Sequence, residues 1–451
     1  MTIRVEVLTL SEYGESVIDN DLAQLVDEEF WAALGVSVTR QPGDVGWKVK
    51  ADSLSGIART KTRELDLTVR IEPKLAGADL VFLADYAYGQ RGDALRRPDA
   101  ARVGVDSQHN DPIATLLIWY VKSVSDFATR WLRRSYRSRR MILDGRVRGR
   151  VLIGPYMARS LTSGRANEIP CVVTERTIDT PNNQVLKAGL RRVAKLAMTL
   201  PVPSARRAVR RAVASALPRF AEVSDVEIGS SQLRATTIKG PQRHYENILA
   251  TTRDLLEGRF LGQTLGQAQV DSFLWSMPHL FQEAVRGILD ASDSFTMDTA
   301  KRPTAKYYDA AGVKLTASRI DPDFILTNDH GVTVLDAKYK NALGLGGSDT
   351  DLVESKAGPR LRVSRSDLYQ LAAYRQHAAW DRAPVALIYP VTVHRGAELP
   401  QPYVVQGIGE PIWLIFIDVG PRAREHIDAF LQSIAHLRSD PEREAPDSPV
   451  T

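Results

Sequence analysis

Arg319-Ile-Asp-Pro-Asp-Phe-Ile-Leu-Thr-Asn-Asp-His-Gly-Val-Thr-Val-Leu-Asp-Ala-Lys-Tyr-Lys340 reads as two apolar strands joined by a tight turn. Phe324 to Thr327 and Val332 to Leu335 are β-formers, and Asn328-Asp-His-Gly331 is a turn former. If those four residues are the loop, Thr327 pairs with Val332, Ile325 with Val334, and Asp323 with Asp336. The two acids then face each other with Cβ atoms roughly 4.5–5.5 Å apart. Lys338, two residues past Asp336, points to the same face because side chains alternate along a strand. Facing carboxylates repel unless something positive lies between them, and a hard divalent cation such as Mg²⁺, which takes oxygen ligands, suits that position. Asp321 has the same parity as Asp323 and is a rival for it; Asp323 is favoured as the ligand and Asp321 as an ion-pair partner for Lys338.

Working outward, Ser366-Asp-Leu-Tyr-Gln-Leu-Ala-Ala-Tyr-Arg375 is helical, with Gln370 and Tyr374 four residues apart on one face. An Asp-x-Lys alone occurs by chance, and a surface hairpin with solvated charges would look similar. Here the acids fall on strands that otherwise read as buried, where charges are rare unless paired or metal-bound. Asp323, Asp336, Lys338, Gln370 and Tyr374 are therefore the candidate catalytic residues.

At these residues the chain resembles the PD-(D/E)XK nuclease superfamily: Pro322-Asp323 looks like its "PD", Asp336-Ala-Lys338 its "DxK", and Gln370-x-x-x-Tyr374 the motif that follows in RecB-like members. The same stretches look like McrC, the nuclease subunit of the modified-cytosine restriction system McrBC. Leu280-Phe-Gln-Glu-Ala-Val285 is similar to that family's "LFExxV" helix, which contributes an acid beside the metal. Gln282 stands where that acid usually falls and Glu283 is next to it, so which of the two reaches the metal stays open. The resemblance implies that Asp323, Asp336 and the backbone carbonyl of Ala337 hold Mg²⁺, with Glu283 as a further candidate ligand, and that Lys338 positions the attacking water. It also implies DNA carrying modified cytosine as substrate, and a McrB-like AAA+ GTPase hexamer as partner.

With 451 residues, two or three domains are expected. An apolar fraction of 43% and a charged fraction of 25% are those of a soluble globular protein. The single cysteine, Cys171, excludes an internal disulfide and the four-cysteine iron–sulfur cluster of some RecB-like nucleases. Met-Thr-Ile-Arg-Val-Glu-Val at the start does not read as a signal peptide, and no apolar run approaches the roughly 20 residues of a membrane span. No membrane association and a cytoplasmic location are expected. The formal charge of +5 is compatible with nucleic acid without establishing it. Arg130, Arg133, Arg134, Arg137, Arg139 and Arg140 crowd one segment, and Arg206, Arg207, Arg210 and Arg211 another. Spacing of three and four makes each partly a helix face, which is either a phosphate-contacting surface, with Arg133, Arg134, Arg137 and Arg140 foremost, or simply a solvated one.

The expected architecture is α/β and multidomain. Residues 1–105 read as a β-rich domain, with alternating segments at Ile3–Leu8, Trp47–Lys50 and Leu65–Ile71 and a helical patch near Leu22 to Leu34. Val69-Arg-Ile-Glu-Pro-Lys74 and the later Tyr86-Ala-Tyr-Gly89 resemble the McrC N-terminal region, which implies docking onto the GTPase and its stimulation. Residues 106–265 read as a mainly helical middle region with a β excursion at Leu143–Ile153. Within it Asn183 and Lys187, in a segment similar to the family's "NxxLK", read as a cap and a solvated lysine. Residues 266–437 read as a restriction-endonuclease-like α/β nuclease domain, closed by strands at Pro384–Pro390 and Ile412–Asp418 and a last helix. The glycine-rich Leu343–Asp351 lacks the end of a P-loop and reads as a mobile loop; the tail 438–451 reads as disordered. The favoured function is a Mg²⁺-dependent endonuclease subunit. The alternatives are a GTPase-activating interaction subunit whose nuclease fold is inactive, and a stand-alone RecB-like nuclease in phage defence or repair.

Overall fold

The computed structural model describes residues 3–41, 46–62, 64–75, 77–88, 112–132, 134–200, 202–229, 233, 244–257, 270–298, 304–308, 314–319, 321–328, 331–343, 361, 363–375, 380, 383–406 and 411–437. They fall into two compact units. Residues 1–116 and 260–451 form one, and 117–259 the other.

The first unit begins with β1 (Arg4–Ser11), β2 (Glu15–Ile18), the short helices α1 (Asn20–Leu25) and α2 (Glu28–Ala33), then β3 (Val36–Arg40), β4 (Trp47–Ala51), β5 (Leu54–Lys61), β6 (Leu65–Glu72) and helix α3 (Leu80–Tyr88). Asp19 starts α1 by accepting the Leu22 N–H at 2.6 Å, the usual work of an N-cap aspartate. A three-stranded sheet, β2-β4-β3, lies with a four-stranded one around a shared core of Leu10, Phe30, Trp31, Leu34, Val49, Leu67 and Val69.

The second unit contains all but the first five residues of α4 (Pro112–Trp131), then β7 (Ser135–Asp144), β8 (Arg150–Val151), β9 (Glu168–Thr177), α5 (Pro181–Leu196), α6 (Pro203–Ala216) and α7 (Glu246–Glu257). It is less helical than its sequence suggests. β7 and β9 pair antiparallel over ten positions, from Ser135 opposite Thr177 to Asp144 opposite Glu168. Arg137, Arg139 and Arg140 therefore lie on an exposed strand and not on a helix face. Their three-and-four spacing is overridden by pairing with a distant β-branched partner, which local propensity cannot anticipate. Asn183 and Lys187 also depart from expectation. Thr180 is the cap of α5, and Lys187 is buried, its ammonium donating to the Val223 carbonyl at 2.5 Å and pairing with Asp225 at 3.1 Å. Asn183 donates to Ile178 O at 2.6 Å and accepts from the Tyr245 hydroxyl at 2.8 Å. Both are structural residues with satisfied polar atoms.

The chain then returns to the first unit. β10 (Val270–Ser276) pairs antiparallel with β5, completing the order β1-β6-β5-β10. The sequence reading set 1–105 and 266–437 apart; this strand and its buried Leu274 join them into a single unit. Helix α8 (Met277–Asp290) follows, buries Phe281, Ala284, Val285 and Ile288, and packs on α3. Next come β11 (Thr296–Met297), the separate ribbon β12 (Thr304–Tyr308) and β13 (Lys314–Arg319), β14 (Phe324–Asn328), β15 (Gly331–Ala337), helix α9 (Arg365–Arg375), β16 (Val385–Val391), β17 (Tyr403–Val405), β18 (Ile412–Asp418) and helix α10 (Ile427–Ala435). The six-stranded sheet runs β11-β14-β15-β16-β18-β17. β15, β16 and β18 are mutually parallel, and β16 and β18 are apolar and buried nearly throughout, as parallel strands covered on both faces must be. Among the described residues no helix is long and apolar enough to cross a membrane. The tail 438–451 and the loop beyond Leu343 lie outside the described residues.

Candidate metal centre

β14 and β15 pair in the expected register, Thr327 opposite Val332 and Ile325 opposite Val334. Pairing continues one step further, to Asn328 opposite Gly331, whose φ of +121° is open to glycine alone. The connection is thereby shortened to Asp329 and His330, which lie outside the described residues. At the other end of the ribbon Asp323, just ahead of β14, accepts the Ala337 N–H on Oδ2 at 2.7 Å. That bond fixes the carboxylate beside the strand end that carries Asp336, Ala337 and Lys338.

Asp336 is only 2% exposed. The Lys338 ammonium lies 2.6 Å from its Oδ2 and donates to Gln370 Oε1 at 3.0 Å. Gln370 Nε2 in turn donates to the Tyr374 hydroxyl at 2.5 Å, and that hydroxyl reaches Asp336 Oδ1 at 3.3 Å. Asp336, Lys338, Gln370 and Tyr374 thus form a closed polar ring, with Asp323 beside it. Asp321 is exposed, and its backbone carbonyl accepts from Tyr374 at 3.4 Å.

Gln282 of α8 donates to Asp323 Oδ1 at 2.6 Å, while the adjacent Glu283 pairs with Arg286 at 3.1 Å. The sequence pointed to this helix but could not say which of the two neighbours meets the aspartate. Sequence reasoning missed the pairing of Lys340 with Asp367 at 2.6 Å; a second lysine two residues after Lys338 was the available signal. Of the arginines proposed to touch phosphate, Arg134, Arg137 and Arg140 are exposed in the second unit, and Arg133 lies outside the described residues.

Burial, and then the charge of Asp336, push the Asp323 carboxyl up to about 6, against the opposing pull of the Ala337 N–H, Lys338 and Arg286. Burial also raises Asp336, opposed by Lys338 and Tyr374. A site that strains to keep two carboxylates ionised is one that a cation would relieve. Asp336 Oδ2 has the Lys338 charge beside it, yet among the described residues no group donates to this buried oxygen along a hydrogen-bonding direction, which leaves a lone pair for a ligand. Among the described residues no three His, Cys, Asp or Glu side chains converge. Two carboxylates and a backbone carbonyl fit Mg²⁺, which keeps several of its waters, better than they fit a metal needing a full protein cage.

The family model of the McrBC 5-methylcytosine restriction system component matches residues 49–390, well over half of the chain. No curated protein matches it. A chain in the refined half-complex from the tetradecameric assembly of Thermococcus gammatolerans McrB AAA+ hexamers with bound McrC is similar over 95% of this chain and 100% of that one, at 16% identity and a TM-score of 0.54. The cryo-EM structure of the McrBC complex from the same organism is similar over 63% of this chain and 87% of that one, at 16% identity and a TM-score of 0.40. At such identity the first likeness speaks to the fold. The matched family span takes in the β5–β6 sheet, the second unit and the whole acid-bearing ribbon, and on that match the chain belongs to the McrBC 5-methylcytosine restriction system component family.

Proposed function

We propose that the chain is a McrC-type subunit of a modification-dependent restriction system: a Mg²⁺-dependent DNA endonuclease of PD-(D/E)XK type. It would cut DNA bearing modified cytosine together with an AAA+ GTPase partner that it stimulates. One observation carries the reading: two half-buried or buried carboxylates and an ammonium converge at one end of a β-ribbon, braced by Gln370 and Tyr374. The helix, antiparallel ribbon, helix and parallel strands around them support it.

Asp323, Asp336 and the Ala337 carbonyl would hold the cation. When bound, Mg²⁺ supplies Lewis-acid polarisation of a scissile phosphate and acidifies the attacking water. Lys338, held between Asp336 and Gln370, offers a fixed positive charge and N–H donors to orient that water and to meet the charge developing on phosphate. Tyr374 and Gln370 keep the ammonium from swinging away. Asp336→Ala should reduce cleavage of methylated plasmid by at least 10³-fold in the presence of partner, GTP and Mg²⁺. The variant should retain GTPase stimulation. Double-strand breaks made by the purified variant at the wild-type rate would defeat the assignment.

Gln282 supports a second reading, a GTPase-activating subunit whose nuclease fold no longer cuts, because an amide donates to Asp323 at the position where the family's acid falls. The same plasmid assay on the wild-type chain separates the two, since only the endonuclease makes breaks.

A further inference from the structure

The geometry points to Lys340 and Asp367 as a positioning pair that sets Lys338 against Gln370, an inference that rests on the nuclease reading above. Lys338 is locked into the sheet by its N–H to Ile388 O at 2.9 Å, and the Lys340 N–H turns back onto Lys338 O at 2.8 Å. This three-residue turn, centred on Tyr339, leaves the two lysines as consecutive attachment points on one strand end. Across from them, Asp367 and Gln370 are three residues apart on α9 and therefore lie on the same helix face. Two rungs result: Lys338 to Gln370 at 3.0 Å and Lys340 to Asp367 at 2.6 Å.

The burial of the outer rung is unequal. The Asp367 side chain is 8% exposed and that of Lys340 is 42% exposed. An aspartate in the first turn of a helix is favourable on its own through the helix dipole. That role is met at the surface, however, and does not explain why the carboxylate is buried against a lysine just past the end of β15. The far end of α9 is tied as well, Arg375 donating to Pro411 O at 3.0 Å and to Ala383 O at 3.4 Å. With both ends tied, Gln370 and Tyr374 in the middle are held at fixed depth opposite Asp336 and Lys338. Without the Lys340 tie, the first turn can rotate or lift, carrying Gln370 Oε1 away from an ammonium on a flexible four-carbon stem. Displacements near 1 Å at a reacting centre cost on the order of 10²-fold in rate.

The test uses the full-length chain with its GTPase partner, methylated plasmid and Mg²⁺. Lys340→Met should lower kcat for cleavage 10- to 100-fold while the DNA concentration for half-maximal rate stays within twofold, and Lys340→Arg should recover cleavage to within threefold. Affinity for Mn²⁺, measured by calorimetry on the chain alone, should stay within threefold in all variants, because the cation's own ligands are untouched. Lys340→Met leaves a buried carboxylate uncompensated and can unfold the helix. The double variant Lys340→Met with Asp367→Asn removes that charge without restoring the tie, and should remain slow. Wild-type kcat in Lys340→Met, or full recovery in the double variant, would overturn the positioning role. Asp336→Ala, run alongside, separates the two levels. Cleavage that survives it defeats the nuclease reading itself, whereas its loss with an unaffected Lys340→Met defeats only this inference.

Discussion

Asp323 takes its two donors from different parts of the chain, the Ala337 N–H across the ribbon and the Gln282 amide 41 positions upstream. It still titrates high, at about 6, because burial and the Asp336 charge outweigh them. A carboxyl that releases its proton near the ordinary value of 3.8 when unfolded and near 6 when folded stabilises the fold in its protonated form. That contribution is complete below about 4 and is lost as pH rises through 6. A divalent cation needs the ionised carboxylates. Mg²⁺ should therefore raise the thermal midpoint very little at pH 5 and by about 2–4 °C at pH 7.5, a shift worth on the order of 1 kcal/mol. Asp323→Asn should abolish the difference. Equal Mg²⁺ shifts at the two pH values, read by thermal unfolding against EDTA controls, would count against cation binding here. At this scale the sequence was legible where the rule is local: strand alternation raised the expectation that Asp323, Asp336 and Lys338 share a face, and the three do gather at the end of the ribbon. It left Gln282 and Glu283 open, because the choice between two adjacent helix residues depends on how α8 is rotated against the sheet.

At the level of elements, α8 makes one close backbone approach to α3. A Cβ on Gly287 of α8 would come within 2.0 Å of the Tyr86 carbonyl oxygen of α3. Backbone, not a flexible side chain, is the obstacle, so the helices must separate if the position is filled. Gly→Ala inside an unhindered helix gains about 1 kcal/mol from propensity; here overpacking should reverse the sign and destabilise by about 1–3 kcal/mol. Gly154→Ala, where a Cβ meets nothing within 4 Å, should stay within about 0.5 kcal/mol of wild type. Denaturant unfolding of both variants checks the contrast, and equal stability of the two would refute a backbone contact between α3 and α8. Elements with a clear local signature, the alternation of β6 and the continuous apolar runs of β16 and β18, could be read directly. β7 could not. Its arginines mimic a helical repeat, and only the ten-position pairing with β9 makes them a strand.

For the whole molecule, the least legible feature is the closure of the N-terminal sheet by β10, because a seven-residue strand carries no mark of a partner two hundred residues earlier. β5 would otherwise be an edge, and an uncovered edge with an apolar face is an association hazard. Leu274 and Trp275 on β10 are 0% and 2% exposed, and Leu274 belongs to the same core as Phe30, Leu34 and Val69. The N-terminal sheet thus takes its fourth strand from beyond the second unit. Leu274→Ala should cost about 2–5 kcal/mol, enough to consume much of a domain's stability. It should lower the unfolding of the N-terminal and ribbon-bearing parts together, as one transition. The stronger test cuts the chain. A fragment of residues 1–116 expressed alone should fail to fold cooperatively, and co-expression with 260–451 should restore a complex that co-purifies and melts as one species. A stable, monomeric 1–116 fragment with dispersed amide resonances would show that β10 is dispensable to that sheet.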